Sequence, residues 1–165
     1  MITIDGGTGT ILHNGTNYRS GSILQVVESA DFSSTTTTSS TTFQDTGLTV
    51  SITPSASSSK ILVNACGDTF INGTGYNVYG EIRLVRGSTE IGKVDNLYDS
   101  ENSSFGARLG QSFSINKLDS PNTTNATTYK IQVRVSGTNY SASIKFPSLT
   151  SSYGGCRIQA MEISA

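Results

Sequence analysis

Tyr129-Lys130-Ile131-Gln132-Val133-Arg134-Val135-Ser136 alternates apolar and polar side chains without interruption. Side chains along a strand repeat every two residues, so this stretch turns Tyr129, Ile131, Val133 and Val135 toward a core and their neighbours toward water. The pattern recurs upstream. Leu48, Val50 and Ile52 alternate with Thr49, Ser51 and Thr53, and Ile61, Val63 and Ala65 follow across a turn-forming stretch from Pro54 to Ser59. Burial on one side only is the habit of antiparallel sheets. No stretch of a dozen residues carries apolar side chains at helical spacing, and the polar filler of Ser, Thr, Asn and Gly suits helix interiors poorly.

Between the alternating runs lie segments that read as turns: Asn72-Gly73-Thr74-Gly75, Arg86-Gly87-Ser88-Thr89-Glu90, Ser120-Pro121-Asn122 and Ser136-Gly137-Thr138-Asn139. Gly and Asn supply the positive φ that tight hairpins need. The count comes to about eight to ten strands, the spacing of an all-β antiparallel sandwich, for which a jelly roll is the simplest architecture.

Composition narrows the function. The 165 residues carry 11 Lys and Arg against 12 Asp and Glu, a formal charge of -1, and charged side chains make up 14% of the chain. The surface is therefore hydroxyl-rich and weakly charged, with no basic cluster to attract phosphate or an anionic bilayer, so neither nucleic acid nor membrane is expected as a partner. No apolar run approaches the roughly 18 to 20 residues that span a bilayer. The opening Met1-Ile2-Thr3-Ile4-Asp5-Gly6 has neither the basic nor the apolar region of a secretory signal.

Two segments stand apart. Residues 1–20 are glycine-rich with only a short alternating start, and they read as an extended N-terminal arm preceding a domain at 21–165. Ser33 to Thr42 is an unbroken Ser/Thr run, which reads either as a loop packed on a neighbour or, because Thr is β-branched, as an exposed edge strand.

Candidates for chemistry are few. The single His, His13, lies in the arm, where a catalytic triad has no framework; a turn or anchoring role is expected of it. Cys66 and Cys156 read first as buried thiols facing the core, with one bridge between them as the alternative; together with His13 they lack any short metal-ligand spacing. Gly6-Gly7-Thr8-Gly9-Thr10 lacks the Lys-Ser/Thr ending of a phosphate loop. Asp95, Asp99 and Glu101 offer oxygen ligands for Ca²⁺ on one loop without the EF-hand spacing, and a solvated acidic loop is the plainer reading. No pair of carboxylates is singled out for glycoside hydrolysis. Tyr76, Tyr79 and Tyr98, with Asn96 among the nearby amides, combine stacking faces and hydrogen-bonding groups in the manner of a glycan or receptor surface; strand tyrosines with their hydroxyls at the rim are the alternative. The residues thus call for no catalytic group, metal or cofactor.

A further pattern lies in the blocks Gly21-Ser22-Ile23-Leu24-Gln25-Val26-Val27, Thr46-Gly47-Leu48-Thr49-Val50-Ser51-Ile52-Thr53-Pro54-Ser55, Ser59-Lys60-Ile61-Leu62-Val63, Leu84-Val85-Arg86-Gly87-Ser88-Thr89-Glu90-Ile91-Gly92, Leu118-Asp119-Ser120-Pro121, Ala126-Thr127-Thr128-Tyr129-Lys130-Ile131-Gln132 and Ala160-Met161-Glu162-Ile163. In this order they resemble a module repeated in structural proteins of tailed bacteriophages, marine and cyanobacterial ones especially. The resemblance implies a tumour-necrosis-factor-like jelly roll that forms homotrimers on the virion surface, without catalytic residues or cofactors. No collagen-like repeat, heptad run or other shaft precedes the knob, which suits a trimer seated on a capsid or on another fibre protein better than a long tail fibre. The expected role is capsid decoration or cement after assembly in the host cytoplasm, with Ile2, Ile4, Ile11 and Leu12 of the arm entering grooves of the capsid shell or fibre base. A fibre or tail-tip knob that binds a host-surface receptor or glycan is the alternative, and a surface-polysaccharide hydrolase a remoter one.

Overall fold

A computed structural model describes residues 2–5, 10–13, 21–29, 35–74, 79–98, 107–136, 141–146 and 156–165, with backbone alone at 2–5, 10–13, 72–74, 98, 107–109 and 141–142. The described chain is an antiparallel β-sandwich. Its strands are β1 (Ile2–Asp5), β2 (Thr10–His13), β3 (Ile23–Glu28), β4 (Thr36–Thr38), β5 (Gln44–Ile52), β6 (Lys60–Thr74), β7 (Tyr79–Arg86), β8 (Thr89–Tyr98), β9 (Ala107–Asp119), β10 (Thr127–Ser136), β11 (Ser141–Phe146) and β12 (Arg157–Ile163). The smaller sheet has the order β5-β10-β7-β8; the larger runs β3-β12-β6-β11-β4, with β9 also pairing with β6. From β3 to β12 the chain passes between the sheets six times, so most neighbours in a sheet are distant in sequence.

The alternating runs do what their period requires. Leu48, Val50 and Ile52 on β5, Ile61, Val63 and Ala65 on β6, and Tyr129, Ile131, Val133 and Val135 on β10 are all buried. Ile82 and Leu84 of β7 and Ile158 and Ala160 of β12 join the same core, and Phe113 meets Phe146 with ring centres 5.7 Å apart. Between the sheets, Asp119 on β9 accepts a hydrogen bond from the Tyr129 hydroxyl on β10 (2.8 Å) and two from the Arg86 guanidinium on β7 (2.8 Å each). Burial first, and then Asp119, push the Tyr129 phenol well above its ordinary pKa.

Turn chemistry explains several joints. Arg86 pairs with Thr89 across a hairpin in which Gly87 takes φ +57°, and Asn122 takes φ +53° after Pro121. Opposite Ile131, β5 carries extra residues: Thr46 donates its hydroxyl to the Ile131 carbonyl (2.8 Å) while Gly47 turns through φ +89°. That bulge lets the ladder continue on either side. The sequence reading of Asn72-Gly73-Thr74 as a turn does not hold. These residues continue β6, where Asn72 and Gly73 pair with Arg108 and Ala107 of β9 and Thr74 pairs with Ser141 of β11; ladder partners on both sides override the turn preference of Asn and Gly. Gly75 of this candidate and residues 137–139 of the last one lie outside the described residues.

The Ser/Thr run supplies an edge strand. Thr36–Thr38 pair with β11, the Thr36 hydroxyl donates to the Thr46 carbonyl (2.8 Å), and the Ser40 carbonyl accepts from the Val135 amide (3.0 Å). Near the N-terminus, β1 and β2 pair with each other in a separate antiparallel ladder, with Ile4 opposite Ile11, Thr3 opposite Leu12 and Ile2 opposite His13.

Candidate functional site: the outer faces of the two sheets

Each sheet turns one face to the core and one outward, and the two outward faces differ in chemistry. On the smaller sheet the outward face is a charged lattice. Asp45 accepts from Lys130 (2.8 Å) and Gln132 (2.5 Å); Gln132 accepts from Arg83 (2.7 Å), which also reaches Glu90 (3.3 Å). Arg134 donates twice to Glu81 (2.9 and 2.7 Å), and Lys93 lies 3.6 Å from Glu81 and 2.6 Å from Asp95. The Phe43 ring packs beneath the guanidinium groups of Arg83 and Arg134, at 4.0 and 4.6 Å from its centre. Lys130 and then Gln132 hold the Asp45 carboxyl below its ordinary pKa, and Asp95 raises that of Lys93. Each of these charges meets its opposite, so the lattice offers no unmatched charge to a ligand.

The larger sheet is different. Inward residues Ile61, Val63 and Ala65 of β6 leave Leu62, Asn64 and Cys66 outward. Register then aligns Val26 of β3 with Met161 of β12, Met161 with Leu62 of β6, and Leu62 with Leu118 of β9. The result is an uncharged row across four strands. Ile163 pairs with Ile23 beside it. Ile23, Val26 and Leu118 are 59%, 52% and 54% exposed. The next row along the strands is Glu28, Gln159, Asn64 and Asn116, with the Gln159 amide donating to Glu28 (3.0 Å).

Strand β3, which carries Val26 and Ile23, is held in place from the core side. Fully buried Glu162 accepts from Gln25 (2.6 Å), from the Ser55 amide (2.7 Å) and from the Ser55 hydroxyl (2.7 Å), and Gln25 also donates to the Thr53 carbonyl (2.7 Å). Burial works to raise the Glu162 pKa, but the Gln25 and Ser55 hydrogen bonds together outweigh it and leave the carboxyl below its ordinary value. The buried Ser59 hydroxyl makes no hydrogen bond of ordinary length, yet lies close enough to favour the charged form.

The residues named from the sequence are distributed unevenly. Tyr79 is half-buried at the start of β7, next to Gly80, which pairs with Tyr98; the backbone therefore brings positions 79 and 98 to the same end of the smaller sheet. Asn96 is exposed at φ +49°. Tyr76 lies outside the described residues. The acidic stretch read as a loop begins as strand: β8 bulges around Asp95 and Asn96 between the pairs Gly80–Tyr98 and Ile82–Val94, and Asp95 takes Lys93 as its partner. Asp99 and Glu101 lie outside the described residues. Among the described residues no group of three or more His, Cys, Asp or Glu side chains is placed to hold a metal ion.

The reading of both cysteines as buried needs correction. Cys156 is buried, but Cys66 is exposed, because it occupies an outward position of β6; the two are free thiols on opposite faces of the sheet. Cys156 accepts a hydrogen bond from the Asp68 amide (3.4 Å) and packs against Gly67 so closely that a Cβ there would lie 2.2 Å from its sulfur. Burial pushes its thiol pKa up to about 12, so it is neither nucleophile nor ready ligand.

No protein-family model and no curated protein matches the sequence. Among solved structures, infectious bursal disease virus of the Gx strain aligns over 99% of this chain at 11% identity and TM-score 0.33, and the Gt strain over 100% at 12% and 0.31. The VP2 subviral particle of the same virus aligns over 100% at 15% and 0.29. The chain spans about two fifths of the length of these structures, covering 42%, 41% and 42% of them. Likeness of this degree carries no conclusion about function.

Proposed function

We propose that this chain is a non-enzymatic bacteriophage virion protein, a homotrimeric knob on the virion surface that decorates or cements the capsid through its N-terminal arm. The observation that carries this reading is the outward face of the larger sheet, where Ile23, Val26 and Leu118 are all more than half exposed. Covering side chains of this kind is worth roughly 1 kcal/mol each at the usual apolar coefficient, and a contiguous patch of them marks a contact surface. The sandwich fold and the ordered sequence blocks that resemble phage virion modules support the same reading, and a formal charge of -1 lets identical subunits pack without strong mutual repulsion.

The arm is the shell-binding element. As a separate two-stranded ladder, β1 and β2 lack the third strand that gives such a unit stability of its own, and a surface that supplies one would order them. Ile2, Ile4, Ile11 and Leu12 are the side chains assigned to that contact. Virions grown with residues 1–20 deleted from this protein test the role: they should lose it from the particle while the truncated knob still forms trimers. Full occupancy without the arm contradicts the assignment. Copy number separates the shell from the tail, because hundreds per particle belong to a shell protein and a few dozen to a fibre or tail tip.

A further inference from the structure

We propose that Glu162 is a proton-operated latch on the strand β3: uptake of one proton by its carboxylate releases β3, and with it the point where residues 1–20 join the sandwich, while the rest of the fold stays closed. Apolar contact holds β3 only weakly. Among the described residues it has a ladder partner on one side alone, β12, and none of its six side chains is buried, whereas every second side chain of β10 is. A strand with so little buried apolar surface opens at a lower cost than the core does. Its inward tie is polar. The Gln25 amide donates to Glu162 (2.6 Å) and to the Thr53 carbonyl (2.7 Å), which fastens β3 to β12 and to the turn after β5 at once. Just before β3, the Gly21 amide donates to the Ser164 carbonyl (2.8 Å), so the chain leading back to residues 1–20 leaves from beside this tie.

The surroundings of Glu162 make the proton its natural control. The groups that reach its carboxylate are all neutral: Gln25 from β3, and the Ser55 amide and hydroxyl, with Ser59 close by, from the turn between β5 and β6. From β6 it faces Ile61, its cross-strand partner, while Lys60 lies on the outward side and donates to Ser120 (2.8 Å). Glu28, the other carboxylate on β3, also faces outward and takes Gln159 and Arg157 as partners. Among the described residues no cation therefore pairs with Glu162, and its charge is held by hydrogen bonds alone. Two of the three donors at hydrogen-bond distance are N–H groups, which cannot accept. A proton on the oxygen facing Gln25 sets O–H against N–H, and turning the Gln25 amide over would set its oxygen against the Thr53 carbonyl. A proton on the other oxygen confronts the Ser55 amide in the same way and takes from the Gln25 bond the charge that strengthens it. The tie is thus complete above the ordinary glutamate pKa of 4.5 and is lost as pH falls below it.

Amide hydrogen exchange of the full chain at about pH 6 and about pH 3 tests the latch, read as the ratio of protection in β3 to protection in β10 so that the intrinsic pH dependence of exchange cancels. In the wild type this ratio should fall about tenfold or more on acidification, the equivalent of one hydrogen bond to a charged group. Glu162→Gln should show a low ratio at both pH values and no acid step. Gln25→Met, which removes the tie from the half-buried side and leaves Glu162 with Ser55, should do the same and keeps the test decisive if Glu162→Gln does not fold, as circular dichroism will tell. Joint loss of protection in β3 and β10 in acid would overturn the latch in favour of unfolding as a whole. An acid step that persists in the variants would overturn it too, by assigning the titration to another group such as Glu28.

Discussion

The two outward faces are built on the same backbone plan and reach opposite ends. On the smaller sheet the outward face carries charged and amide side chains that satisfy one another around buried Val85, as with Glu81 between Arg134 and Lys93. On the larger sheet the corresponding centre is Leu62 and Met161, with Val26 and Leu118 at its sides and no charge among them. A sandwich needs only one apolar face per sheet to fold. A second one is an expense in solubility that the fold does not require, so on the proposed reading the difference separates what this protein needs in order to fold from what a contact with a partner surface would need.

Substitutions on the two faces should therefore affect different quantities. Leu118→Asp gives the largest effect: it should abolish self-association while changing the unfolding free energy of the isolated subunit by less than about 0.5 kcal/mol, because the side chain already faces water. Denaturation of the monomeric variant, compared with wild type diluted to monomer, checks this. Glu81→Ala should do the reverse, with trimer mass unchanged and stability lower by about 2 kcal/mol, since Arg134 and Lys93 lose the buried carboxylate between them. A Glu81 variant that dissociates would show the charged lattice to be part of the interface.

Glu162 links the two quantities because it holds β3, and with it Val26, onto the sheet. Its pKa is depressed in the folded state, so its contribution to stability is present above the unfolded carboxyl pKa and is lost as pH falls through the folded value. Glu162→Gln should cost about 1.5 to 3 kcal/mol at neutral pH and flatten the acid limb of the stability profile below the ordinary glutamate pKa of 4.5. Urea titrations at pH 7 and pH 3 measure both. Gly47→Ala should have the smallest effect, about 1 kcal/mol, from placing a Cβ at positive φ in the β5 bulge, with no change in assembly.

The sandwich was legible because β5, the start of β6 and β10 alternate cleanly, and alternation is a local property. The exposure of Cys66 follows from the parity of β6, because counting by twos from Ile61 puts Gly67 inward and Cys66 outward. Asn72-Gly73-Thr74 was misread because two ladders, contributed by β9 and β11 from 34 or more residues away, decide its conformation. The apolar row escaped for a related reason. Val26, Leu62, Leu118 and Met161 lie far apart in the chain, and only strand register brings them side by side. A trace of it is nevertheless present in the sequence, in Val26-Val27, Ile61-Leu62-Val63 and Ala160-Met161, where alternation breaks and two adjacent apolar residues point to opposite faces. Composition alone points to Tyr79, Asn96 and Tyr98, and the pairing of β7 with β8 brings positions 79, 96 and 98 to the same end of the smaller sheet.

The claim that one outward face is covered by copies of the chain and the other remains in water is tested most directly by hydroxyl-radical footprinting of the full-length protein across a dilution series. Met161 and Leu118 should be protected at high concentration and become reactive as the assembly dissociates, while Phe43, between Arg83 and Arg134 on the smaller sheet, should react at a constant rate throughout. Equal reactivity of Met161 and Leu118 at every concentration, or protection that appears at Phe43 instead, would contradict the account.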